Sequence, residues 1–291
     1  MTQRPSFPAK LPSGMPQTGA KPATSAQRTL AFGPAITIKK IANYAYSTPG
    51  NGLKSLKKTI STPLQAPSGA GMDSAAVRAR MVQKLAEGGI TDQAVLAAMN
   101  TIERHRFVDT ALVGQAYEDT SLPIGLQQTI SKPNVVARMI ALLREGSLPA
   151  GGLNPEKKLG RVMEIGGGCG YQAAVLSLLC NEVYSIERLR GLYDKALVNI
   201  RYLKASNLHL LLGDGMLGHA RGAPYAGIIA AAGGEAIPRA WVDQLAIGGR
   251  IVAPIAQAQG QSLMLLDKTA QGVQQTVLES VLFVPLKSGV V

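Results

Sequence analysis

The stretch from Val162 to Arg188, VMEIGGGCGYQAAVLSLLCNEVYSIER, decides the fold. The run VMEI ends in Gly166, Gly167, Gly168 and Gly170. An apolar helical segment follows, then a second apolar run that closes on Glu187. This reads as strand, glycine turn, helix, strand, the repeating unit of a parallel sheet. After the first strand the backbone must turn sharply, and glycines permit positive φ and close approach of a ligand. Glu187 stands where such folds direct a carboxylate at a ribose hydroxyl pair.

Working outward, the alternation continues. RGLYDKALVNIRYLKA reads as a helix, LHLLL and AGIIAAA as strands, PRAWVDQLA as a helix and GRIVAPI as a strand. SLMLLDKT and VQQTVLESVLFVPL finish as two strands around a turn at Gln271-Gly272. The expected fold is α/β, Rossmann-like and doubly wound, its mostly parallel sheet carrying an antiparallel C-terminal edge. Ahead of it lie the helices SAAVRARMVQKLAEGG, QAVLAAMNTI (capped at Thr91-Asp92) and PNVVARMIALLREG. The span between the last two, FVDTALVGQAYEDTSLPIGLQQTISKP, reads as loops. The expected organisation is a tail over 1–72 and one domain over 73–291. Within it, 73–160 is helical and loop-rich, and 161–291 is the cofactor-binding core.

The tail is rich in Pro, Gly, Ser, Thr and Lys, has no hydrophobic period, and is expected to be disordered. Its piece AFGPAITIKKIANYAY is more apolar and could form a short element. The first 70 residues hold nine Lys/Arg and no Asp or Glu, so most of the +12 charge belongs to the tail. That charge is no sign of a basic groove on the folded part. Such an N-terminus also resembles an organelle transit peptide, though its prolines count against an amphipathic presequence. Aromatic residues make up only 4% of the chain, which argues against a stacking platform for nucleic acid. No apolar run is long enough for a membrane span. Cys169 and Cys180 fall at opposite ends of one helix, too far apart to bridge. A reducing, cytoplasmic setting is expected. His105, His209 and His219 are scattered, and no metal site is expected.

Two further acids narrow the ligand. Glu164 lies inside the first strand, and Asp214 follows the third strand in the triplet GDG (213–215). Three carboxylates around one pocket suit S-adenosyl-L-methionine, which has an amino group, a sulfonium and no phosphates. They would repel a pyrophosphate. Other readings remain open here. Gly168-x-Gly170-x-x-Ala173 has a dinucleotide-like spacing, an Asp-Gly turn would also account for Asp214, and a tight turn needs no ligand.

At this point the chain resembles the protein-L-isoaspartate (D-aspartate) O-methyltransferase family of class I methyltransferases. The resemblance covers roughly 73–288. It rests on GITDQAVLAAMNTIERHRFV (89–108), AYEDTSLPIGLQQTISKP (116–133), VMEIGGGCGYQAAVLSLL (162–179), VYSIER (183–188), GDG (213–215), GGRIVAPI (248–255) and FVPL (283–286). It implies methyl transfer from S-adenosyl-L-methionine to the free α-carboxylate of L-isoaspartyl residues in damaged proteins, initiating repair through a succinimide. It implies Ser131 as the active-site serine that positions the substrate carboxylate, with Gln128 and Thr129 beside it. It implies Glu164, Gly166, Gly168, Gly170, Glu187, Asp214 and Gly215 as cofactor-binding residues. A bland alternative makes Ser131 an N-cap for the helix after Pro133. Expected partners are isoaspartyl peptides and proteins, with no specific nucleic acid, no membrane, and a monomeric enzyme.

The chain also departs from the family. Where IGYGQTISQPY is usual, IGLQQTISKPN brings in Leu126, Gln127, Lys132 and Asn134. Cys169 replaces a small hydroxyl residue at a helix N-terminus that could lower a thiol pKa. Ala226 stands for an aspartate, and Gly233 and Gly234 lie in the segment flanking the peptide site. Two alternatives follow: a carboxyl methyltransferase with another substrate, and a non-catalytic S-adenosylmethionine-binding partner module. An NAD-dependent oxidoreductase is disfavoured by Glu164 and Asp214.

Overall fold

The computed structural model describes residues 38–40, 74–146 and 157–291. The expectation for the tail falls outside these residues, apart from a short strand β1 (Ile38–Lys40) within the apolar piece noted above.

The central strands β4 (Leu159–Ile165), β5 (Cys180–Glu187), β6 (Leu208–Leu212) and β7 (Tyr225–Ala230) pair in parallel, in the order β7-β4-β5-β6. Val162, Met163, Glu164 and Ile165 are buried in succession, as expected of a parallel strand covered on both faces. The chain runs outward from β4 through β5 to β6, then returns to β7 on the other side of β4. Strand order reverses at β4, and ligands of such sheets lie beyond the carboxyl ends at that reversal. Strand β8 (Leu245–Gln257) joins β7 in parallel; β9 (Gly260–Thr269) and β10 (Gly272–Val281) follow antiparallel. Strand β1 lies outside β10, parallel to it.

Two details differ from the sequence reading. Gly272 already pairs with Thr269, so the β9–β10 turn falls at Ala270-Gln271, one residue earlier. β10 stops at Val281, and FVPL does not continue it. Instead, Gly233 N–H donates to Val284 O and Leu286 N–H to Gly233 O, both at 2.8 Å. This draws the C-terminal segment across the carboxyl ends of the sheet.

Helix α1 (Ser74–Glu87), α2 (Gln93–Thr101) and α3 (Pro133–Gly146) precede the central strands β4 to β7. α3 buries Val136, Met139, Ile140 and Leu143, one face at helical spacing, and packs on β7 and β8. α4 (Tyr171–Leu179) is buried all round except at Leu178, held between α2 and the sheet. α5 (Arg190–Ile200) and α6 (Arg239–Gln244) complete the described α-helices. Asp92 caps α2 through the Ala94 and Val95 amides, as the sequence predicted. Its second oxygen takes Arg144 Nε at 2.7 Å, and both side chains are almost wholly buried. Arg144 also donates to Lys157 O, so the C-terminal end of α3 is anchored to α2 and to the approach to β4.

The span read as loops holds a hairpin, β2 (Leu122–Gly125) and β3 (Gln128–Ile130). Its tip, Leu126-Gln127, has φ of 50° and 58°, the left-handed pair of a tight hairpin turn. Asn-Gly is the usual signal for such a turn, so Leu-Gln concealed it. No described helix is long and apolar enough to cross a membrane.

Candidate active site

A cavity of about 460 Å³ opens beyond the carboxyl ends of β4 and β5. The glycine loop forms its floor, the β2–β3 hairpin one wall, and Val284–Lys287 another. Gly166, Gly168 and Gly170 all have positive φ, at 84°, 55° and 87°. At Gly168 this conformation aims the amide at Glu187 Oε2, 2.8 Å away, while Glu187 Oε1 accepts from Leu189 N–H, also at 2.8 Å. Glu187 thus fastens the loop after β4 to the start of α5, and it lines the cavity. Gly215 lies on the same wall; a Cβ there would meet Ile165 Cγ2 at 2.6 Å. Trp241 Nε1 donates to Gly215 O at 2.8 Å and holds this turn in place.

Glu164 is fully buried. Ser185 Oγ donates to its Oε2. Among the described residues neither its Oε1 nor Nε2 of the neighbouring buried Gln172 is in good hydrogen-bond geometry, although the Gln172 side chain is close enough to favour the ionised carboxyl, and both residues line the cavity. An acceptor and a donor this loosely paired on a cavity wall are open to a ligand that carries both functions. Burial pushes the Glu164 carboxyl up to about 8, against the pull of the Ser185 hydroxyl and the Gln172 amide. The unfolded chain ionises there near 4.5, so between these values the folded state holds the extra proton. Stability of the free protein therefore falls as pH rises from about 4.5 to about 8. Glu164→Gln should remove that slope. Urea midpoints of both proteins between about pH 5 and pH 8 measure it, and a pH-independent difference would show Glu164 already ionised in the fold.

Ser131 lies between β3 and α3, half-exposed. The N-cap alternative does not describe it. Asp119 Oδ1 accepts from the Asn134 amide at 2.8 Å and so serves the first turn of α3. No hydrogen bond engages the Ser131 hydroxyl among the described residues. It lines both the main cavity and a second groove of about 690 Å³. Thr129 lines both as well, and Gln128 lines the first.

Two expected site residues lie off the cavity. Gly170 caps α4, and a Cβ on it would press Ile200 at 3.1 Å and Ala196 at 3.3 Å, so it serves the α4–α5 contact. Asp214 makes the turn that its Asp-Gly sequence allowed, accepting from Met216 N–H at 2.8 Å; its other oxygen takes Gly289 N–H at 2.7 Å. Cys169 is buried, and its thiol is pushed up to about 11 by burial rather than lowered by the helix. Both cysteines are free thiols. Sequence reasoning missed Gln172, whose place in the first turn of α4 was a usable signal. It also missed Lys195, which donates to Ile124 O at 2.9 Å and ties the hairpin to α5, and the 284–287 wall. Neither carried a local signal.

The family model for protein-L-isoaspartate(D-aspartate) O-methyltransferase matches residues 75–291. The chain belongs to this family. The protein-L-isoaspartate O-methyltransferase of Methylibium petroleiphilum is 58% identical over 226 residues, 77% of this chain and 81% of that one. That of Leptothrix cholodnii is 54% identical over 225 residues, 76% of this chain and 77% of that one. A solved protein-L-isoaspartate O-methyltransferase superposes with a TM-score of 0.64 at 26% identity, covering 72% of this chain and 66% of that one. The family assignment and the superposition agree with the doubly wound α/β sheet read from the glycine stretch.

Proposed function

We propose that the chain methylates the free α-carboxylate of L-isoaspartyl residues in damaged peptides and proteins, using S-adenosyl-L-methionine, and so initiates their repair through a succinimide. The observation that carries this reading is Ser131. Its hydroxyl is released from capping by Asp119 and stands where the glycine-floored cavity meets the second groove.

The main cavity fits the co-substrate. The loosely paired Glu164 Oε1 and Gln172 Nε2 match the amino and carboxylate groups of a methionyl end. Glu187 is assigned the ribose hydroxyls. Asp214 reaches an adenine amine only by sharing the oxygen that holds Gly289. A pyrophosphate is poorly served: the amides of Gly166, Gly167, Gly168 and Gly170 are all taken by protein acceptors. When bound, S-adenosyl-L-methionine supplies a methyl on a sulfonium, which a carboxylate oxygen takes as the carbon–sulfur bond breaks.

Little further chemistry is asked of the protein. The substrate carboxylate is ionised at neutral pH, so no general base is needed, and the task is proximity and orientation. Charge is consumed as the ester forms, so a neutral hydroxyl is a suitable guide for the reacting carboxylate. A cation there would stabilise the ground state more than the transition state. Two buried thiols are in keeping with a reducing, cytoplasmic setting.

The deciding experiment is transfer from methyl-labelled S-adenosyl-L-methionine to matched peptides containing isoaspartate or aspartate. Base-labile label on the isoaspartyl peptide alone is expected; label on neither would overturn the proposal. Ser131→Ala should lower kcat/KM for the isoaspartyl peptide about tenfold, the value of one hydrogen bond to a charged group. S-adenosyl-L-homocysteine affinity should stay nearly constant. Unchanged turnover would remove Ser131 from the site.

A further inference from the structure

The second groove carries charge that methyl transfer does not use. Its walls include Asp119, Lys132, Arg138 and Glu279, with Val135, Leu263 and Phe283 among its apolar residues. Three of the four charged groups are committed. Asp119 accepts from the Asn134 amide, and Arg138 and Glu279 pair with each other at 3.1 Å. The Lys132 ammonium is exposed and makes no ion pair or side-chain hydrogen bond among the described residues. It is also placed differently from its neighbour: Ser131 lines both cavities, whereas Lys132 lines only the groove.

We infer that Lys132 selects isoaspartyl peptides that carry an acidic side chain beside the isoaspartyl residue. The inference rests on the proposed activity and extends it to the peptide around the methylated group. Lys132 is a specificity residue rather than a catalytic one. A cation at the reacting carboxylate would slow a step that consumes that charge, and Lys132 lies outside the cavity where the step takes place. One residue beyond Ser131, its ammonium meets the part of the peptide that extends into the groove. Arg138 and Glu279 cancel each other, Asp119 keeps one negative charge, and Lys132 meets that extension as the one groove cation without a protein partner among the described residues. The Asp119 carboxylate faces the same groove and opposes the preference, which keeps it modest.

The test uses the full chain, saturating S-adenosyl-L-methionine and isoaspartyl peptides differing only in one flanking residue, Glu, Gln or Lys, placed on either side. At low salt kcat/KM should rank Glu above Gln above Lys, each step about two- to fivefold, the range of a partly exposed ion pair. Added salt should compress the ranking. Lys132→Gln should flatten it and Lys132→Glu should invert it; these ratios do not move with a general loss of folded protein. No ranking in the native enzyme, or the same ranking in Lys132→Gln, overturns the inference while leaving the activity standing. No methylation of the Gln peptide would overturn the proposed activity, and the inference with it.

Discussion

Replacing Glu187 with alanine is expected to weaken S-adenosyl-L-homocysteine binding by about 100- to 10,000-fold. The carboxylate makes two charge-assisted hydrogen bonds, to the Gly168 and Leu189 amides, and lines the cavity on its remaining side. Hydrogen bonds to a charged group contribute about 1.5–3 kcal/mol each, and about 1.4 kcal/mol is tenfold in affinity. Loss of the side chain frees the glycine loop from the start of α5 and removes the assigned ribose acceptor together. Glu187→Gln keeps the shape and one acceptor oxygen, so its affinity should fall between the two. Calorimetric titration with S-adenosyl-L-homocysteine measures both variants. A Kd for Glu187→Ala within about threefold of the native value would take Glu187 out of the cofactor site and leave it a purely structural clasp.

Asp92→Ala is expected to lower the free energy of unfolding by about 3–5 kcal/mol, a large share of the stability of an ordinary domain. Arg144 would be left charged and buried, its side chain 1% exposed, with Lys157 O as its one acceptor among the described residues. Helix α2 would also lose its cap. The site is affected indirectly, because α3 begins just past Ser131 and is anchored at its other end by Arg144. Two variants separate the causes. Asp92→Asn keeps a capping oxygen but no charge, and should recover only the capping part, about 1 kcal/mol. Asp92→Ala with Arg144→Met removes the stranded charge and should recover more. Urea unfolding of the three proteins tests the ordering, and an Asp92→Ala loss below about 1 kcal/mol would show that Arg144 finds water or another partner.

The sequence by itself determined what depends on near neighbours along the chain. Apolar runs separated by helical periods required a parallel sheet, and the glycines after β4 required its sharp turn, because both follow from local stereochemistry and burial. The place of Glu187 at the end of β5 followed from the same register. Asp92 was legible as a cap because its amide partners are two and three residues away. The tertiary structure decided what depends on competition between distant partners. Ser131 in sequence alone read first as a cap, its site role coming from the family resemblance; Asp119, 15 positions from the amide it holds, took the capping task and left the hydroxyl without a partner among the described residues. Asp214 in sequence could face a ligand or make a turn; the Gly289 amide, 75 positions away, claimed one oxygen while the local turn claimed the other. Cys169 at a helix N-terminus could have been activated, but burial outweighed the helix and raised its pKa. A carboxylate, hydroxyl or thiol has several possible partners within a few residues. Which one it keeps is set by packing that brings remote segments together, and no local period encodes that.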